Sequence, residues 1–286
     1  MLADLIHITT RDGVRLDGAY HAPAHPGAAG FAVDALCLLH GTGGSFYSSP
    51  LFGFLAERLL ALGVGVLRAN TRGHDLISTA STTQGGRRQG AAYEIVDDCR
   101  HDVTAWLAWL SRVAGPRVGL LGHSLGAVKC LYAQAYEPLP PAACVLAVSP
   151  PRLSHSWFRA GEQAAEFIET FGRAQQCIAE GRPESLIEVR IPLPFLITAA
   201  GYVEKYGPGE RYNYFRFLSE LRCPTLVTFG GLEVEQNAAF RGAPAEIRDS
   251  CPRIGVETIP GADHFYTAGR EELATVIENW LRTIKR

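Results

Sequence analysis

Six short, largely apolar runs constrain this chain more than anything else in it: residues 35–39, 64–69, 118–121, 143–148, 225–229 and 254–259. Each is too short for a helix, is rich in Val, Leu or Ile, and ends near Gly, Ser, Pro or a polar turn. Such runs read as strands buried on both faces. Between several of them lie stretches with apolar residues at helical spacing, over 51–62, 93–113, the segment after 124, and 270–284. Strands alternating with helices predict an α/β fold, a mostly parallel sheet with helices on both faces. At 286 residues and 47% hydrophobic, the chain is long enough for one large domain with an insertion, or for two small domains. Ahead of the first buried run, residues 6–18 alternate around Asp12-Gly13 and predict a β-hairpin.

Residues 153–221 break the rhythm. They hold helix formers over 162–178, then the aromatics Tyr202, Tyr206, Tyr212, Tyr214, Phe215 and Phe217. The expected organisation is a core of residues 1–152 and 222–286 with a mainly helical cap at 153–221, since long insertions beyond strand ends commonly serve as lids. Residues 70–90 read as a long polar loop, and 93–113 as one long helix.

Charge and cysteine content narrow the function classes. The net charge of −2, with no basic block, argues against a nucleic-acid surface. No apolar run approaches the ~20 residues needed to span a bilayer, and residues 1–10 lack the basic start and apolar core of a signal peptide. Seven irregularly spaced cysteines read as free thiols, which points to the cytoplasm. His21 and His25 flank Pro23 and share no helical face, so no metal set emerges.

The chemistry gathers around Gly122-His123-Ser124-Leu125-Gly126, between a strand and a helix. Small residues on both sides let the chain turn sharply and hold the Ser124 hydroxyl clear of the sheet, as a nucleophile requires. A serine attacking a carbonyl needs donors for the oxyanion that forms. His40-Gly41-Thr42-Gly43-Gly44 follows another strand, and the N–H groups of Thr42 and Leu125 are the expected donors. That glycine turn lacks the third glycine of a dinucleotide loop and the Gly-Lys-Ser/Thr of a P-loop. His264, between the last strand and the last helix, is the expected base, because a serine hydroxyl is weak at its free pKa. His40 and His123 are expected to shape turns. An orienting carboxylate belongs after the penultimate strand, where Glu233 is preferred over Glu235, with Asp263 too close to His264 in sequence.

These pieces, in this order, resemble the α/β-hydrolase superfamily: His40-Gly41-Thr42-Gly43, Asn70-Thr71-Arg72-Gly73-His74-Asp75, the Gly122 to Gly126 elbow, the turn from Gly230 to Glu233, and Asp263-His264. The resemblance implies an eight-stranded sheet, a Ser124–His264–acid triad and an oxyanion hole of backbone amides. The superfamily's usual acid is Asp, and Glu233 stands in its place here. The Arg72-Gly73-His74 loop borders the pocket in many members, although packing is an equally good account of it. The expected activity is hydrolysis of a carboxylic ester or related acyl bond in a small-molecule substrate, with no cofactor or metal. An acyltransferase or a thioesterase would share the first half of that mechanism, and a non-catalytic ligand-binding relative is the alternative of another class. The aromatics of 153–221 suggest an apolar or ring-bearing substrate, or simply the insertion's own core. Nothing in the sequence assigns an oligomeric state.

Overall fold

The structure, a computed structural model, describes residues 2–136 and 140–285. It opens with β1 (Asp4–Thr9) and β2 (Arg15–His21), then β3 (Ala35–Leu39), α1 (Pro50–Ala61) and β4 (Gly65–Ala69). A small hairpin, β5 (Ser78–Thr82) and β6 (Gly85–Gln89), leads to α2 (Cys99–Ala114), β7 (Val118–His123), α3 (Leu125–Tyr136) and β8 (Val145–Val148). Next come α4 (His155–Ala160), α5 (Ala164–Ala179), a second hairpin of β9 (Leu186–Val189) and β10 (Phe195–Thr198), and α6 (Ala199–Tyr206). The chain closes with β11 (Thr225–Gly230), α7 (Gly231–Gln236), α8 (Ala243–Ser250), β12 (Gly255–Ile259) and α9 (Arg270–Thr283).

Eight strands form one sheet in the order β1-β2-β4-β3-β7-β8-β11-β12. The β1–β2 and β2–β4 pairs are antiparallel and the remaining pairs are parallel. The apolar runs are continuous because both faces of the sheet are covered. Along β3, Ala35, Cys37 and Leu39 pack with Trp106, Leu107 and Leu131 of α2 and α3. Leu36 and Leu38 point the other way, among Phe52 and Leu55 of α1 and Leu273 and Ile277 of α9.

Parallel pairing also aligns the strand ends. Leu39 pairs with Gly122, His123 with Val148, Val148 with Thr228, and Gly230 with Ile259. The loops that follow β3, β7, β8, β11 and β12 therefore meet at one edge, the carboxyl edge where α/β sheets place their ligands.

Three local expectations change. Residues 70–90 contain the β5–β6 hairpin, whose short Ser, Thr, Gly and Arg strands carry no apolar alternation. The helix expected from 93 begins at Cys99, after a 3-10 turn at Val96–Asp98. Ahead of it, residues 91–93 form a turn of their own, and the Ala92 carbonyl accepts from the Thr198 N–H at 2.8 Å. The insertion is helical in α4, α5 and α6 but also contains the β9–β10 hairpin. Its aromatic rings pack on one another: Phe167 lies 6.0 Å from Phe171, and Tyr202 5.0 Å from Tyr206, between ring centroids.

Candidate active site

Ser124 sits at the apex between β7 and α3 with φ = 57°, a left-handed conformation that a side chain adopts only under constraint. Two glycines make the apex possible. A Cβ on Gly122 would lie 2.3 Å from the Gly126 carbonyl oxygen, and one on Gly126 would lie 2.1 Å from that of Leu39. The Ser124 N–H donates to the Val148 carbonyl at 2.8 Å, fixing the turn to the end of β8.

His264, in the loop between β12 and α9, donates from Nδ1 to Glu233 Oε2 at 2.5 Å. That bond leaves Nε2 as the basic nitrogen. Phe240 and Phe265 each stand 5.2 Å from the His264 ring, centroid to centroid. Glu233 is buried in the first turn of α7, and its other oxygen accepts from the Gly230 N–H at 2.8 Å and the Ser149 hydroxyl at 2.5 Å. Glu235 is exposed. Asp263 accepts from the Phe265 and Thr267 N–H groups at 3.1 and 2.8 Å, and so shapes the His264 loop.

Sequence reasoning missed Ser149 and Tyr266. Tyr266 Oη lies 2.9 Å from Ser149 Oγ, so a hydroxyl chain leads to Glu233. The place of Ser149 just past the end of β8 was the available signal, because parallel strands bring such residues beside the turn after β11.

The histidines adjoining the two glycine motifs are structural. His40 Nδ1–H donates to the Gly41 carbonyl at 2.9 Å, while Nε2 accepts from the Thr71 N–H at 3.1 Å. Burial, reinforced by Lys129, drops its pKa to about 3, so it is held neutral. His123 donates to the His264 carbonyl at 2.8 Å, and burial and the neighbouring His264 put its pKa at about 3 as well. Arg72 is buried and turned away from the site, with Nη2 2.7 Å from Asp102 and Nη1 2.8 Å from Asp12 and 3.2 Å from Asp98. The loop it belongs to therefore packs the core. That loop also supports the turn at residues 40–44, because the Asp75 N–H donates to the Gly44 carbonyl at 2.9 Å.

Ser124 and His264 line one cavity of about 490 Å³, together with Gly41, Thr42, Phe52 and Phe240. From the insertion only Leu193 reaches it, so the aromatics of 153–221 form the insertion's core rather than the cavity wall. Thr42 and Leu125 share a recess that adjoins the cavity at Leu193 and Phe240. Among the described residues, neither the Thr42 nor the Leu125 N–H has a hydrogen-bond acceptor. Gly41 comes closest to the serine: a Cβ there would stand 2.8 Å from Ser124 Cβ and 3.3 Å from Oγ.

The model of the alpha/beta hydrolase family matches residues 38–276, which spans every element of this site. The chain belongs to that family. Solved structures agree on the fold. Est1E from Butyrivibrio proteoclasticus aligns with a TM-score of 0.67 at 15% identity, over 97% of each chain. The Pyrococcus furiosus esterase Pf2001 aligns at 0.64 and 17%, over 98% of this chain and 91% of its own. The esterase domain of a Rhodothermus marinus protein aligns at 0.59 and 17%, over 99% and 98%. Comparison with curated protein sequences returns no match. As a member of the alpha/beta hydrolase family the chain is an enzyme of the hydrolase kind. No helix among the described residues is long and apolar enough to cross a membrane.

Proposed function

We propose that this alpha/beta hydrolase cleaves a carboxylic ester or related acyl bond in a small molecule through an acyl-enzyme on Ser124. The observation that carries the reading is the 2.5 Å bond from His264 Nδ1–H to a buried Glu233, with His264 opening onto the cavity that holds the strained Ser124. Ser124 Oγ attacks the carbonyl carbon while His264 Nε2 takes its proton. The negative charge on the carbonyl oxygen is met by the N–H groups of Thr42 and Leu125, a reading supported by the recess they share and by the absence of any other acceptor for them among the described residues. His264 passes its proton to the leaving alcohol oxygen as the ester C–O bond breaks; it then draws a proton from water as that water attacks the acyl carbon, and returns it to Ser124 Oγ as the acyl–Oγ bond breaks, releasing the acid. Glu233 holds the imidazole in the required tautomer and stabilises the imidazolium. That Pf2001 and the Rhodothermus domain are named esterases favours the ester among acyl substrates.

We read residues 153–221 as a cap on this site, since Leu193 comes from it to the cavity wall. We place the enzyme in the cytoplasm, because all seven cysteines are thiols and six are buried. A fluorophosphonate probe tests the central claim. The expected result is one covalent adduct on Ser124, absent from Ser124→Ala. An unmodified serine in folded protein overturns the mechanism.

A further inference from the structure

The cavity around Ser124 is walled largely by apolar and small polar side chains, and it has one feature that its hydrophobic character does not need. Among the described residues, Arg270 is the only permanently charged side chain lining it, and no Asp or Glu lines it at all. The Arg270 Nε is buried without a hydrogen-bond partner, and no ion pair joins its guanidinium to any described residue. Its position in the fold adds weight. Arg270 is the first residue of the 14-residue helix α9, the end where the helix dipole is positive and a cation is least favoured. The acidic residues beside it do not neutralise it: Glu271 pairs with Arg58 at 2.9 Å, and Glu272 is exposed. Two further positive poles point the same way, since α1 begins at Pro50 and α3 at Leu125, both at this end of the sheet.

We infer that Arg270 is a specificity-determining residue, and that the substrate is an ester carrying a carboxylate on one of its two parts, bound by the Arg270 guanidinium. This rests on the proposed ester-hydrolase reading and names its substrate class. One guanidinium balances one negative charge and matches the planar carboxylate through two parallel N–H···O bonds. A phosphate dianion would call for a second permanent cation, and none lines the cavity among the described residues. In a largely apolar enclosure, an unpaired cation also discriminates against neutral substrates, because they cover it without satisfying it.

Two matched ester pairs test this. 4-Nitrophenyl hydrogen glutarate against 4-nitrophenyl hexanoate puts the charge on the acyl side. 3-Carboxyphenyl butanoate against 3-carbamoylphenyl butanoate puts it on the alcohol side. The wild-type enzyme should favour the anionic member of at least one pair by about tenfold or more in kcat/KM. Arg270→Gln should lower that ratio at least about tenfold, mainly through KM, and Arg270→Lys should restore part of it. Salt at 0.5 M should reduce the wild-type preference. A wild-type preference for the neutral member in both pairs, or a ratio that Arg270→Gln leaves unchanged, overturns the inference. A parallel measurement separates this from failure of the nucleophile assignment. Glutarate should raise the melting temperature of the wild type and of Arg270→Lys, but not of Arg270→Gln, whether or not the fluorophosphonate labels Ser124. Labelling with no effect of Arg270→Gln on either readout leaves the serine reading standing and removes Arg270 from it.

Discussion

Glu233→Gln is the most informative single change in this molecule, because the structure dictates how the replacement must sit. Glutamine has the same shape but only one acceptor oxygen. The inner position accepts from the Gly230 N–H and the Ser149 hydroxyl, so the amide oxygen stays there and the NH2 turns toward His264 Nδ1. Nδ1 must then accept, which moves the ring proton to Nε2, the nitrogen assigned to take the proton from Ser124. Losing a charge-assisted bond to a forming imidazolium costs about 3 kcal/mol, and restoring the working tautomer against a mismatched donor costs about 2 more. At about 1.4 kcal/mol per factor of ten, the expected loss in kcat is on the order of 10³ to 10⁴. The assay is initial-rate hydrolysis of 4-nitrophenyl butanoate, with folding checked by circular dichroism and sites counted by fluorophosphonate titration. Glu235→Gln, at an exposed position, should cost less than about threefold. A Glu233→Gln enzyme within tenfold of wild type, or a larger loss from Glu235→Gln, would refute the assignment of the acid.

Gly41→Ala should reduce kcat by about 100-fold or more in folded protein, because its methyl would meet Ser124 Cβ at 2.8 Å and displace it; kinetics alongside a melting curve check this, and near-normal turnover contradicts it. Stability should fall in acid. His40 and His123 have folded pKa values of about 3, so below the unfolded value of 6.5 the unfolded chain binds protons that the native state refuses. Their contribution is complete above pH 6.5 and declines as pH falls toward 3, by about 2 kcal/mol per histidine at pH 5. Urea unfolding at pH 8 and pH 5 measures it, and His123→Asn should flatten the dependence. Glu94→Gln should destabilise by about 3 to 5 kcal/mol, since it strips the buried Lys129 of its ion-pair partner and leaves Lys205 with Glu204 alone, whereas Lys205→Met should be neutral or stabilising. Equal losses in urea for those two variants would contradict this account.

What could be read from the sequence, and what could not, follows from how local each constraint is. The elbow was legible because Gly122, Ser124 and Gly126 stand together in one short run between a strand and a helix, although the carbonyl that Gly126 makes room for belongs to the distant Leu39. That Glu233 and His264 would meet could be expected because parallel strands fix the chain order of the loops at one sheet edge. Arg270 was not, since a helix-opening arginine looks like any surface charge until the absence of an acceptor around it is seen in three dimensions. Helix α8 went without a sequence expectation; Pro244 stands in its first turn, where proline is well tolerated. Helix α2 starts later than its apolar spacing implies because the preceding residues put Glu94 beneath the insertion, where the ion pair with Lys129 forms.

That buried carboxylate bears on how the enzyme meets its substrate. Burial alone would push the Glu94 carboxyl up, yet Lys129 of α3 and Lys205 of α6 hold it below its usual value, so one charge engages both the sheet layer and the insertion. Swinging α6 outward would strip a counter-charge from a group sealed away from water, and would also break the Thr198 to Ala92 hydrogen bond. An insertion anchored in this way is expected to act as a fixed wall rather than a hinged door. Turnover should then follow a simple hyperbola in dissolved substrate, with no lag phase and no jump in rate when an ester is raised past its solubility limit. The enzyme would act on single molecules arriving from water and gain nothing from an oil droplet.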